Sequence, residues 1–260
     1  MLPLVSIITP SYNQGQFLPE TIQSVLSQDY PHLEYIIIDG GSTDNSVEVI
    51  RKYANQLAWW VSERDKGHAD ALNKGFAHAT GEILAWLNSD DTYQPGVIRE
   101  AVDYMLSHPS ISMVYSDANL IDESGKYLGR FPAKQTDYGR MLNGSVNIPQ
   151  ATTFFWMRLW KQVGPLDLTL KYSFDYDLWV RLAKIAPVVY VPRTWSNFRL
   201  HEAGKTIYMD DLCYPDMIRV AQRETGKKVP SLILRWYLRR LTYAWLPIRL
   251  RVKLRQIINI

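Results

Sequence analysis

An α/β architecture, a mostly parallel mixed sheet flanked by helices, is predicted by two features of this chain. Short β-rich runs alternate with amphipathic helical segments between Leu4 and Leu87, the pattern of parallel strands joined by crossover helices. Three of those runs end in polar clusters, at residues 9–13, 39–44 and 88–91. Ligands in such sheets bind outside the carboxyl ends of the strands. Convergence of the three clusters on one edge is therefore a geometric expectation.

The elements follow in order. Residues 4–9 are apolar and β-rich, closed by Pro10, and read as a buried strand. Residues 21–28 carry Ile22, Val25 and Leu26 at helical spacing. Residues 35–38 form a second buried strand, stopped by Asp39, Gly40 and Gly41. A helix is expected over 44–53, with Val47, Ile50 and Tyr53 on one face. A third strand over 59–62 and a helix over 69–79, closed by Gly81, come next. Residues 83–87 read as a strand running into Asn88, Asp90 and Asp91. Carboxylates at the end of a buried strand are costly unless paired. Either they serve a hard divalent cation, which takes oxygen ligands, or residues 89–91 cap a helix starting near Pro95.

At 260 residues and 47% apolar content the chain can hold one large domain, or one domain with a tail. A single cysteine, Cys213, excludes an internal disulfide and argues for a reducing compartment. Residues 1–9 lack the basic region of a secretory signal, and no run of 18 apolar residues exists, so neither a signal peptide nor a transmembrane helix is expected. The net charge of +3 hides an asymmetry. Residues 225–260 contain nine basic side chains and no acidic one, a charge of +9, so the rest of the chain carries −6. A mildly acidic body thus precedes a basic, aromatic-rich tail.

Asp39-Gly-Gly-Ser-Thr-Asp44 follows a strand and opens a helix. Its glycines permit a tight turn, Asp44 suits a helix N-cap, and Asp39 is free to bond a ribose or base. Neither GxGxxG nor a P-loop is present.

Together, Val5-Ser-Ile-Ile-Thr-Pro-Ser-Tyr-Asn13, Ile36-Ile-Ile-Asp-Gly-Gly-Ser-Thr-Asp44 and Trp86-Leu-Asn-Ser-Asp-Asp91 resemble family 2 glycosyltransferases with the GT-A fold, of the bacterial cell-envelope polysaccharide type. Asp65-Lys-Gly-His-Ala-Asp-Ala-Leu-Asn-Lys-Gly75, Tyr172-Ser-Phe-Asp-Tyr-Asp-Leu-Trp-Val-Arg181 and Phe198-Arg-Leu-His-Glu-Ala-Gly-Lys-Thr206 extend the likeness over residues 4–206. The resemblance implies that Thr9, Pro10 and Tyr12 line the nucleobase pocket, with Asp39 on the base. It implies that Lys66, Asp70 and Asn73 lie along the nucleotide. Of the acidic pair, Asp90 would hold ribose and Asp91 would hold Mn²⁺ or Mg²⁺ on the diphosphate. The first position of that motif, an aspartate in many relatives, is Asn88 here. His201 is a metal ligand or a satisfied polar residue, and Lys205 a partner for the diphosphate. His68 sits beside the donor segment.

Asp175 takes the position of the general base, which removes the acceptor hydroxyl proton in an inverting transfer. Asp177 and Arg181, four apart on a helix, suit an ordinary ion pair. Gln150 is expected near the acceptor, and residues 154–156 as a core strand. The resemblance implies an inverting transfer from a nucleotide-diphosphate sugar, UDP-linked, to a glycan or lipid-linked hydroxyl. A non-catalytic nucleotide-sugar or glycan-binding scaffold is the alternative, and a sugar-1-phosphate nucleotidyltransferase a lesser one.

Three segments are expected: a nucleotide-sugar half over 1–115, an acceptor and catalytic-base half over 116–206, and a basic amphipathic extension over 207–260. In that extension Leu234, Leu238, Leu241 and Trp245 recur at helical spacing opposite Arg235, Arg239 and Arg240. The pattern suits an interfacial helix on an anionic membrane, with the protein cytoplasmic and peripheral on its inner face. A helix packed on the body with a solvated basic face is the alternative. Residues 248–255 alternate strictly, and their conformation stays open between strand and helix. No recognition fold for nucleic acid accompanies the charge.

Overall fold

The computed structural model describes residues 2–201 and 212–243. Strand β1 (Val5–Ser11) is buried along its whole length. It lies between β2 (Leu33–Asp39) and β4 (Ile83–Trp86), parallel to both, with β3 (Trp59–Ser62) parallel outside β2. Helices α1 (Leu18–Leu26), α2 (Ser46–Tyr53) and α3 (His68–His78) are the connections. They cover the sheet, which is why its central strands read as continuous apolar runs rather than alternating ones.

The second half is mixed. Strand β8 (Phe154–Trp156) inserts antiparallel between β4 and β6 (Met113–Ile121). Strand β6 runs parallel to β9 (Val188–Arg199) and forms a hairpin with β7 (Tyr127–Phe131). The short β5 (Thr92–Tyr93) pairs with β9, so the order is β3-β2-β1-β4-β8-β6-β9-β5, with β7 on β6. Helices α4 (Val97–Ser107), α5 (Tyr138–Leu142), α6 (Met157–Val163) and α7 (Phe174–Ile185) pack around it. Two more, α8 (Cys213–Thr225) and α9 (Pro230–Tyr243), close the described chain.

Several boundaries shift by one to three residues from those the sequence predicts, among them α1, which spans 18–26 rather than 21–28, and two of the shifts bear on the site. Strand β1 continues through Pro10 to Ser11. Its pairing with β4 stops at Ile8, so the proline sits where β1 has a neighbour on one side only, a position that tolerates a missing N–H. Helix α4 starts at Val97 after Gly96, whose φ is +79°. Asp90 and Asp91 therefore do not cap it. Phe154 and Phe155 are fully buried core, as expected of a strand between two others. The alternating residues 248–255 lie outside the described residues. Among those described, no helix is long and apolar enough to cross a membrane.

Candidate active site

The carboxyl ends of β1, β2 and β4 bring the three polar clusters together. Asn13, at φ +51°, interlocks the first two: its Oδ1 accepts the Thr43 N–H at 2.8 Å, and its own N–H donates to Ser42 Oγ at 2.8 Å. Asp39 is fully buried. Its Oδ2 accepts from Gly41 N, Ser42 N and Ser62 Oγ, and its Oδ1 from Ser42 Oγ. Three of those donors crowd Oδ2, and Oδ1 keeps a lone pair beyond the one Ser42 takes. The side chain shapes the turn, in which Gly41 takes φ +82°, and holds β3 beside it.

Beside that turn stands a residue the sequence reading left out of the site. A Cβ on Gly40 would come within 2.5 Å of Asp65 Oδ2 and 3.4 Å of the Tyr12 ring. Asp65 thus lies over the glycine backbone next to Tyr12, whose side chain is 60% exposed. Bare glycine backbone thus runs beneath a carboxylate and beside an exposed aromatic ring. In sequence Asp65 stands three residues beyond the end of β3, whereas Asp39 is the last residue of β2. Thr9 and Pro10 are buried in β1, and the Thr9 hydroxyl meets Tyr35 Oη at 3.0 Å in the interior. Of the three, Tyr12 is the one that faces solvent.

The donor segment divides in the same way. Lys66 is exposed at the start of α3. Asp70 Oδ2 accepts the Lys66 N–H at 3.0 Å and lies 3.7 Å from Lys74 Nζ, so it tightens the first turn of the helix. Asn73 bonds reciprocally with the backbone of Leu166: Nδ2 to the carbonyl at 2.9 Å, and Oδ1 from the N–H at 2.8 Å. Its amide ties α3 to the following loop.

The acidic cluster is a turn, closed by Asp91 N donating to Asn88 O at 3.1 Å. Asp90 sits near its tip, partly exposed, and its Oδ2 lies 2.9 Å from His201 Nε2. Asp91 starts the return into the sheet and is buried. Its Oδ1 accepts the Arg199 N–H at 3.0 Å, and Asn88 Nδ2 stands 3.4 Å from its Oδ2. Burial, reinforced by the neighbouring Asp90 charge, holds the Asp91 pKa well above the usual carboxylate range. His201 therefore meets Asp90 and not Asp91. Lys205 lies outside the described residues.

A divalent cation is implied by the resemblance, and the residues present fit one. Among the described residues no group of three or more His, Cys, Asp or Glu side chains gathers. Asp90 and His201 nevertheless converge, and Asn88 Oδ1 in the same turn is buried with no hydrogen-bond partner among the described residues. Carboxylate, imidazole and amide oxygen suit Mn²⁺, and a cation with few protein ligands is one that substrate phosphates complete.

Asp175 occupies the first turn of α7. Burial pushes its pKa up to about 6, only partly offset by the Tyr176 N–H that donates to its Oδ1 at 2.7 Å. Among the described residues it makes no salt bridge. Its neighbour Phe174 meets His68 edge-on at 5.1 Å between ring centroids, which sets the start of α7 against the start of α3. Asp177 is structural: fully buried, it bonds Arg181 at 2.8 Å and Arg223 at 2.5 Å, the i,i+4 pair of the sequence reading plus one from α8. Gln150 Nε2 donates to the Trp86 carbonyl at 2.8 Å, while its Oε1 is buried and has no partner among the described residues. It thus stands at the end of β4.

Comparisons with known proteins give the family and the fold. The family model described as "Glycosyl transferase family 2" matches residues 6–160. An uncharacterized glycosyltransferase of Rickettsia typhi is 30% identical over 212 residues, which are 78% of this chain and 66% of that protein. This chain therefore spans just under two thirds of that relative. Among solved structures, residues 1–349 of Staphylococcus aureus TarS in complex with UDP-GlcNAc superpose with a TM-score of 0.72 at 17% identity, covering 92% of this chain and 73% of that one. A mannosyltransferase from Pyrobaculum calidifontis, in complex with GDP-Man and Mn²⁺, gives 0.65 at 18% identity, covering 97% and 79%. At such identities the likeness is one of fold.

Proposed function

This chain belongs to glycosyl transferase family 2, and from that premise we propose an inverting transfer of a sugar from UDP to a hydroxyl of a glycan or lipid-linked acceptor. The observation that carries the reading is Asp175. A half-buried carboxylate without an ion pair among the described residues, raised to about 6 by burial, is basic enough to take a proton near neutral pH and still ionised there.

In this reading Tyr12 and Asp65 receive the base, and the exposed Lys66 faces phosphate charge. Asp90 and His201 would hold Mn²⁺ or Mg²⁺, with Asn88 Oδ1 beside them; we assign the metal-facing carboxylate to Asp90 because Asp91 is buried and its oxygens already face the Arg199 N–H and Asn88 Nδ2. A cation bound there would offset negative charge on the leaving diphosphate. Asp175 takes the acceptor proton as the hydroxyl oxygen bonds to the anomeric carbon. The bond from that carbon to the diphosphate breaks, and the diphosphate leaves with the electron pair. The TarS complex with UDP-GlcNAc supports a nucleotide sugar as donor, and the Pyrobaculum complex supports a cation.

The acceptor class rests on α9. Its buried Leu232 packs on Gly144, while Leu234 and Leu241 are 59% and 70% exposed on a segment of net positive charge. An apolar stripe among basic residues suits the inner face of an anionic membrane, where lipid-linked acceptors reside.

The test is turnover of UDP-sugars by the Asp175→Asn variant. We expect donor binding to persist and transfer to vanish. Retained transfer would refute Asp175 as the base, and no turnover of any nucleotide sugar by the unmodified chain would favour a binding scaffold.

A further inference from the structure

Arg199, the last residue of β9, is buried, yet its side chain reaches three separate segments. Nε donates to the Asp90 carbonyl at 2.9 Å. Nη1 donates to the carbonyls of Asp122 and Glu123 in the β6–β7 turn, at 3.2 and 3.0 Å. Nη2 donates to Glu20 Oε2 on α1 at 2.5 Å. The guanidinium carbon lies 4.9 Å from the centre of the Phe17 ring, and that ring lies 4.7 Å from the His201 imidazole. The Arg199 N–H holds Asp91 as well.

We propose that Arg199 is the positioning residue for the Asp90–His201 pair, and so fixes where the donor diphosphate and its cation sit. One residue governs both members. Its Nε holds the peptide that carries Asp90, and its backbone, two residues before His201, is pinned to the same turn through Asp91. A buried cation is costly unless its donors are matched, and here each guanidinium nitrogen has an acceptor in a different direction. Lysine would keep the charge but present one ammonium on a flexible stem, which cannot span three fixed directions.

This inference rests on the cation reading given above, and the experiment separates the two. Mn²⁺ uptake by the full chain is titrated by electron paramagnetic resonance in the presence of UDP, and of GDP in parallel. Nucleotide binding in EDTA and thermal unfolding are followed alongside. We expect Arg199→Lys to raise the half-saturating Mn²⁺ concentration by about tenfold or more, the scale on which partners of metal ligands act. Glu20→Gln, at the exposed end of the fork, should raise it by a smaller factor, with nucleotide binding in EDTA unchanged for both.

A purely structural arginine would lower the unfolding temperature and leave half-saturation where it was. A folded Arg199→Lys protein with half-saturation equal to the parent's overturns the proposal. If Arg199→Lys does not fold, Glu20→Gln decides: a raised half-saturation supports the proposal, an unchanged one overturns it. Asp90→Asn is the control. Parental Mn²⁺ uptake in that variant overturns the cation reading and the positioning role together. Loss of uptake in Asp90→Asn with none of the shift in Arg199→Lys overturns the positioning role alone.

Discussion

Asp90 and His201, 111 positions apart, meet at 2.9 Å, whereas Asp91, one residue on, gives its carboxylate to the Arg199 backbone. The turn at residues 88–91 separates two adjacent acids into an outward and an inward role.

That separation predicts opposite phenotypes. Asp90→Asn should abolish metal-dependent donor binding and leave the unfolding midpoint close to the parent's. Asp91→Ala strands the buried Arg199 N–H, and an unsatisfied buried donor costs about 1–3 kcal/mol. Urea unfolding and Mn²⁺-dependent UDP binding, measured on both variants, check the contrast.

Asp175 yields a prediction in pH. As a base with a pKa of about 6, it should make transfer rise with pH through that value, and Asp175→Asn should lower turnover by about 10²–10⁴-fold. Stability moves the other way. Burial raises the folded pKa from 3.8, so the folded chain holds this proton more tightly than the unfolded chain. The favourable contribution is complete below about pH 4 and is lost as pH rises through about 6. Asp175→Asn should therefore stabilise the fold at pH 8 by up to about 3 kcal/mol, with the gain vanishing towards pH 4. Denaturation at the two pH values measures it.

Asp177 should behave as structure. Asp177→Ala removes the buried carboxylate shared by Arg181 and Arg223, a loss on the order of 3–5 kcal/mol. Thermal unfolding should fall sharply. Arg223→Ala, which leaves the Arg181 pair intact, should fall less.

Asn73 separates structure from ligand contact. Asn73→Leu breaks the reciprocal bonds to Leu166 and should cost about 1–3 kcal/mol, with nucleotide affinity little changed. Isothermal titration with UDP against the unfolding midpoint gives the answer.

The exposed stripe of α9 predicts lipid binding. Replacing Leu234 and Leu241 by Glu removes two apolar side chains whose burial is worth about 1.5–3 kcal/mol each. Co-sedimentation with phosphatidylglycerol vesicles should drop by more than tenfold while the midpoint of unfolding stays put. Equal co-sedimentation would sink the membrane reading.

Much of the first half of the fold is legible in the sequence. The runs that became β1, β2 and β4 are apolar because parallel strands are buried, and each ends in polar residues because the chain must leave the sheet there. The helical segments announced themselves through spacing, and Asp177–Arg181 through the four-residue interval. The edge where the polar clusters converge was legible, but the partners of the side chains there were not. Thr9, Asp39 and Asn73 are polar residues at the right edge, but their side chains bond inward, to Tyr35, to a turn and to Leu166. Asp65 went unmarked, since nothing in its neighbours tells that Gly40 would pass beneath it.

The sequence by itself determined the elements from β1 to β4 and the edge on which their polar ends gather, because hydrophobic period and strand ends are local properties of the chain. Only the tertiary structure decided which of two adjacent carboxylates meets His201, and which buried arginine holds them. Such choices depend on side-chain direction across a tight turn and on contacts between β9, α1 and the β6–β7 turn, segments up to 179 positions apart. No local pattern carries that information.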